Sequence, residues 1–170
     1  MWVFDATPLI YLAKVQQLTL VDHLEAPCVI PELVYEEVVT TGLEEGYPDA
    51  RRIEQQVDTD RFEIVSVETN ARSSQMQGNQ NLSTADVAVL AYADAHDGVA
   101  VMDESYGRDV ATTEGITTRG TAFLVLKCTK QGAISSGDAR TTIDAMIDEG
   151  WYCAPDVYTR IIQKLETLSE

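Results

Sequence analysis

Asp5 and Asp103 each follow a short apolar run, Trp2-Val3-Phe4 and Val99-Ala100-Val101-Met102, as an acid at the end of a buried strand would. Glu37 and Asp86 fall instead in early turns of segments with apolar residues at helical spacing. These are Leu33, Val34 and Val38 in one case, and Val87, Leu90, Ala91 and Ala95 in the other. Four carboxylates meeting at one edge of a sheet repel strongly unless cations sit among them. Mg²⁺ or Mn²⁺ is the natural occupant, because hard cations take oxygen ligands and keep waters for a phosphate substrate. Such a site activates water and offsets the charge that develops as a phosphodiester is cleaved. Taken singly, each acid has a plainer role. Asp5 can cap the next helix, Asp86 can complement a helix dipole, and Glu36 and Glu37 can line a solvated face. The order and spacing of the set carry the reading.

The elements that must position these acids follow from the apolar pattern. Residues 1–5 read as a short strand, and Pro8 to Val15 as a helix start continued by Leu18, Leu20, Val21 and Leu24. Cys28 to Ile30 is a strand stopped by Pro31, which opens a helix over Leu33, Val34 and Val38. Thr40 to Pro48 reads as a loop, Asp49 to Val57 as a helix and Phe62 to Val67 as a strand. Glu68 to Leu82 is polar, has no period and is expected to be a flexible loop, either touching substrate or idle. Ser83 looks like an N-cap with Asp86 three residues on, and Gly98 closes that helix before the strand Val99–Met102. Arg108 to Thr113 suits a helix and Ile116 to Thr118 a strand. Three helices complete the chain: Thr121–Lys130, Ser136–Glu149 and Pro155–Leu168. Strands alternating with helices imply an α/β fold with a parallel sheet, whose ligands lie at the carboxyl ends of the strands.

Four short motifs resemble those of the PIN domain family. Phe4-Asp5-Ala6-Thr7 is similar to its opening strand, acid and small hydroxyl residue. Ile30-Pro31 through Val34-Tyr35-Glu36-Glu37-Val38 resembles its second motif, with Glu37 the better match to the acid and Glu36 the alternative. Leu82-Ser83-Thr84-Ala85-Asp86 resembles the third, and Val101-Met102-Asp103-Glu104 followed by Gly115-Ile116 the fourth. Arg108, Gly120-Thr121 and Gly150-Trp151-Tyr152 resemble the small PIN proteins of the DUF3368 type, relatives of VapC-type toxins. Two positions depart from the pattern: the family often has Asp where Glu104 stands, and the subgroup often has Glu where Asp86 stands.

The resemblance implies a three-layer fold, with a central, mostly parallel sheet flanked by helices. It would form one domain over residues 1–170, in which 133–170 is a C-terminal helical extension packed on the rest. It implies a Mg²⁺- or Mn²⁺-dependent endoribonuclease that cuts single-stranded RNA to leave a 3′-hydroxyl and a 5′-phosphate. Asp5, Asp103, Asp86 and Glu37 would hold the metal. Thr7 either orients a ligand or caps the first helix; Glu104 would stand behind the ligands; Arg108 either meets phosphate or pairs with a neighbouring acid. An antitoxin protein and a second copy of the chain are candidate partners. The C-terminal Trp151, Tyr152, Tyr158, Ile161 and Ile162 serve either that dimer or the domain's own core. The alternatives are a catalytically silent PIN-fold binding or assembly module and a housekeeping RNA-processing nuclease. Two further candidates fail on sequence: an aspartate-nucleophile phosphatase needs a second Asp where Thr7 stands, and a receiver-like domain needs a differently placed lysine.

Bulk properties narrow the setting. With 28 acids against 12 Lys and Arg, the net charge is −16, and the acids are dispersed rather than collected in a tail. That distribution favours adaptation to a cytoplasm of molar salt, where repulsion is screened within about 3 Å, and so a halophilic source, most readily an archaeon. Cys28, Cys128 and Cys153 are far apart with no CxxC pair, which argues against a zinc or disulfide framework. The longest apolar runs are too short to span a bilayer. The N-terminus lacks the basic and long apolar segments of a secretory signal, so a cytoplasmic location is expected.

Overall fold

A computed structural model of the chain describes residues 1–169. Five strands, β1 (Trp2–Phe4), β2 (Cys28–Pro31), β3 (Glu63–Val65), β4 (Val99–Val101) and β5 (Thr117–Arg119), form one sheet in the order β3-β2-β1-β4-β5. Every pairing is parallel, with Trp2 opposite Val99 and Phe4 opposite Val101. Such a sheet is covered on both faces, which explains why its central strands read as unbroken apolar runs rather than as alternation. The chain steps from β1 through β2 to β3 on one side, then returns to lay β4 on the other side of β1. The carboxyl ends of β1 and β4 therefore flank the point where strand order reverses, the place where open parallel sheets bind ligands.

Helices flank the sheet: α1 (Ala6–Lys14), α2 (Glu32–Tyr35), α3 (Gly42–Glu44), α4 (Pro48–Asp58), α5 (Ala71–Gln77), α6 (Thr84–Ala95), α7 (Ser105–Thr113), α8 (Thr121–Lys130), α9 (Ser136–Asp148) and α10 (Pro155–Ser169). Helix α6 packs across β1, β2 and β4; α1 packs on α4; α8, α9 and α10 pack on one another. A single apolar cluster runs from Val3 in β1 to Ile161 and Leu165 in α10, so the C-terminal helices share the core of the sheet. Glu170, the last residue of the expected 133–170 extension, lies outside the described residues. Among the described residues no helix is long and apolar enough to cross a membrane, and all three cysteines are free.

Four segments differ from their sequence reading. The first helix does not run on to Leu24. It ends at Lys14, Gln16 turns left-handed with φ 58°, and Leu18–His23 forms a separate 3₁₀ turn. The helix after Pro31 does not stop at Val39. A π-helical stretch, Glu36–Thr41, joins α2 to α3, so helical structure continues through Glu44 into the first part of the expected loop. The expected loop 68–82 contains α5, fastened by an Asn70–Ser73 capping box and by the buried Ser73 and Met76. Helix α7 begins at Ser105 rather than Arg108, because the Glu104 carboxylate accepts from the Tyr106 and Gly107 backbone N–H groups at 2.9 and 2.7 Å.

Candidate active site

Asp5 follows β1 directly, and its backbone N–H donates to the Val101 carbonyl of β4 at 3.0 Å, which ties the two strand ends together. It occupies the N-cap position of α1, yet its side chain makes no capping hydrogen bond. The carboxyl is 6% exposed, and burial pushes it up to about 7 from an ordinary 3.8. The charges of Asp86, Glu37 and Asp103 add to that rise, in that order, while the Ala6 backbone N–H opposes it. A buried acid that feels the charge of three others, and is not used as a cap, is not explained by helix formation.

The neighbours come from separate elements. Glu37 lies in the π-helical stretch, on the exposed rim. Partial desolvation raises its carboxyl, and the Asp86 charge raises it further. The wider turn of a π segment is a common local irregularity at functional sites. Glu36, the alternative at the sequence level, does not figure among the charges that act on Asp5. Asp86 does have its plain role: its Oδ2 accepts from the Ser83 N–H at 3.0 Å while the Ser83 hydroxyl accepts from the Asp86 N–H at 3.0 Å. That capping box engages Oδ2 alone.

Asp103, two residues beyond β4, is held differently. Its Oδ1 accepts from the Thr121 backbone N–H at 2.7 Å; its Oδ2 accepts from the Thr121 hydroxyl at 2.7 Å and the Trp151 indole N–H at 3.1 Å. Gly120, just before Thr121, gives the carboxylate room. A Cβ there would lie 2.9 Å from Asp103 Oδ1 and 3.2 Å from Arg108 Nη1. Arg108 therefore places its exposed guanidinium beside the acid, but it forms none of the ion pairs within 4.0 Å among the described residues. Thr7 is half-buried in the first turn of α1 and does not cap it. Glu104 caps α7 with both oxygens.

Sequence reading singled out Asp5, Glu37, Asp86 and Asp103, and the first of these interacts electrostatically with the other three. Thr121 and Trp151 entered only as marks of a subgroup, and Trp151 as a candidate dimer residue. No local pattern could have linked them to Asp103, from which they stand 18 and 48 positions away.

All four acids offer oxygen donors, which suits a hard divalent cation. Among the described residues, no three His, Cys, Asp or Glu side chains are grouped closely enough to hold a metal by themselves. A cation taken there would have to keep several waters in its shell, since one or two carboxylates at most would ligate it directly.

A parallel α/β sheet with acids at the carboxyl ends of β1 and β4 is compatible with a nuclease-type fold. The PIN domain family DUF3368 matches residues 1–167, and the chain belongs to that family. No curated protein matches it.

Proposed function

We propose that this chain is a Mg²⁺- or Mn²⁺-dependent endoribonuclease acting on single-stranded RNA, with Asp5, Glu37, Asp86 and Asp103 as its metal-holding acids. The observation that carries this reading is the buried Asp5, raised to about 7 amid three further acids where β1 and β4 end. A divalent cation bound there lowers the pKa of a water and offsets charge developing on the phosphodiester. Asp5 and Asp103 would hold it from the two strand ends, with Asp86 and Glu37 completing the shell directly or through water. The exposed Arg108 guanidinium, close to Asp103 and without an ion pair among the described residues, meets a substrate phosphate. Thr7 orients a ligand or water.

The deciding experiment is cleavage of labelled single-stranded RNA at high KCl with Mn²⁺ or Mg²⁺, beside folded Asp5→Asn and Asp103→Asn variants. Metal-dependent cutting by the native chain, absent from both variants, is the expected result. Absence of cutting together with absence of metal-induced stabilisation sinks the reading. The second reading, a PIN fold kept for binding or assembly, is favoured by one observation: the acids do not close on one point as they stand. Growth arrest on expression, relieved by a co-expressed antitoxin protein, would place the nuclease among toxins rather than housekeeping RNA-processing enzymes.

A further inference from the structure

Asp103 is a carboxylate with about four acceptor positions, and protein donors occupy three of them. Two come from Thr121 and one from the indole of Trp151, on the far side of α9. The route to that indole is well defined. Helix α9 closes with Gly150 at φ 103°, the Gly150 N–H donates to the Ile147 carbonyl at 2.9 Å, and the Trp151 N–H donates to the Met146 carbonyl at 2.9 Å. This pair of bonds is a Schellman closure, and it sets Trp151 one residue past the glycine. The ring is 7% exposed, and its only polar atom is spent on Asp103. Packing alone would be served as well by Phe.

We propose that Trp151 is a positioning residue for the acidic site: its N–H, together with the Thr121 hydroxyl, locks the Asp103 carboxylate in one orientation. The lock leaves the open position on Oδ1, the oxygen that faces Gly120 and Arg108. It makes the C-terminal helices part of the site, because the indole hangs from the end of α9. The inference rests on the nuclease reading for what Asp103 is positioned to do. Groups that orient a metal-binding carboxylate typically contribute about 10–100-fold to metal affinity or activity.

The test uses the full chain with Trp151→Phe, Thr121→Val and Thr121→Ser, each checked for native unfolding behaviour. Three quantities are read: Mn²⁺ affinity by calorimetry, kcat and KM on RNA, and the Trp151 indole ¹H–¹⁵N resonance without metal. With two tryptophans in the chain, that resonance is readily assigned. The expected results are a loss of about 10-fold or more in Mn²⁺ affinity for Trp151→Phe, and a fall in kcat with KM for RNA unchanged. Thr121→Val should behave likewise and Thr121→Ser should restore the native values. The indole resonance should be slow to exchange and should shift in Asp103→Asn. Native Mn²⁺ affinity and kcat in a folded Trp151→Phe protein would overturn the positioning role alone, as would an indole resonance indifferent to Asp103→Asn. A native chain that binds no Mn²⁺ would overturn the nuclease reading and the positioning role together.

Discussion

The two halves of the acidic site are built on opposite principles. On the β1 side, Asp5 is buried without a capping bond, and chiefly this burial, with the charges of Asp86 and Glu37 adding to it, penalises its ionised form. On the β4 side, Asp103 is half-exposed and held by three donors from Thr121 and Trp151. Under the proposed reading the first half would gain from a cation; the second is oriented by protein donors alone. A metal site made this way would have its geometry set in advance on one side and its affinity for positive charge concentrated on the other.

The largest contrast should appear when each acid is made neutral. Asp5→Asn should abolish cleavage, by more than the ~10–100-fold typical of an outer-shell partner, while raising the metal-free stability of the protein. The sign follows from linkage. The folded Asp5 holds its proton up to about pH 7, whereas an unfolded chain releases it near 4. Protonated Asp5 costs nothing below the unfolded value, and the cost grows as pH rises to the folded one, reaching on the order of 4 kcal/mol at pH 8 for this group. Denaturant unfolding in EDTA should thus show Asp5→Asn more stable than the native chain at pH 8 and about equal to it at pH 4. Added Mn²⁺ should stabilise the native chain at pH 8 and have little effect at pH 4. A variant no more stable at pH 8 would show that ionised Asp5 is not penalised in this half of the site.

Asp103→Asn should also remove cleavage, but with the opposite effect on stability. An amide has one acceptor oxygen, so its NH₂ would face either a Thr121 donor or the Trp151 N–H. Leaving such a buried donor unpaired costs about 1–3 kcal/mol. The same unfolding measurement at pH 8 should therefore place Asp103→Asn below the native chain and Asp5→Asn above it. If both variants move the same way, the division between the halves is wrong.

Gly120→Ala probes the oriented half without touching an acid. The residue has φ −89°, so alanine brings no backbone strain, only a Cβ 2.9 Å from Asp103 Oδ1 and 3.2 Å from Arg108 Nη1. Arg108 can swing away, whereas Asp103 is held by its donors. The expected outcome is a kcat loss of about 10-fold or more, comparable to that of an outer-shell change, with a loss of stability of about 1 kcal/mol as the Asp103 hydrogen bonds are disturbed. Calorimetry should show Mn²⁺ affinity falling in parallel, and unchanged kcat and affinity would mean that the space beside Oδ1 has no use.

How far the sequence reveals these two halves depends on the range of the contacts. Asp5 and Asp103 are visible because an apolar run ending in an acid is a local signal, and the Ser83–Asp86 capping box is visible for the same reason. The end of α1 is not, because a left-handed Gln16 closes it where a glycine would have signalled a stop. Helix α5 is hidden because the residues that fasten it, Asn70, Arg72 and Ser73, are those of a loop until their partners are known. The π-helical turn that carries Glu37 follows from no periodicity in the chain. The Asp103 clamp is hidden most completely, since its donors come from the starts and ends of helices remote in sequence.

Beside the direct pairing of β1 with β4, a side-chain connection joins the halves, and it should give the smallest effect. Arg72 in α5 donates Nη1 to both oxygens of Asp94 in α6 at 2.8 and 3.0 Å, and it reaches the end of α7 through Glu114, by Nε at 3.3 Å and by Nη2 to the backbone carbonyl. Beside it, Asn79 Nδ2 donates to the Tyr106 hydroxyl at 2.7 Å, again joining the segment before α6 to α7. Helix α6 carries Asp86 and α7 follows Asp103, so α5 fastens the half with the buried Asp5 to the oriented half. Arg72→Met keeps much of the aliphatic stem and removes the charged contacts. Because the guanidinium is 40% exposed, the loss of stability should stay within about 1 kcal/mol. The informative readout is hydrogen exchange: amides of residues 71–82 should exchange faster, while those of β1, β4 and the Thr121 turn keep native rates. Cleavage should fall by a small factor, through freedom gained by Asp86 relative to Asp103. Faster exchange reaching Thr121 would mean that the oriented half depends on α5 as well, and the two halves would then have to be treated as one.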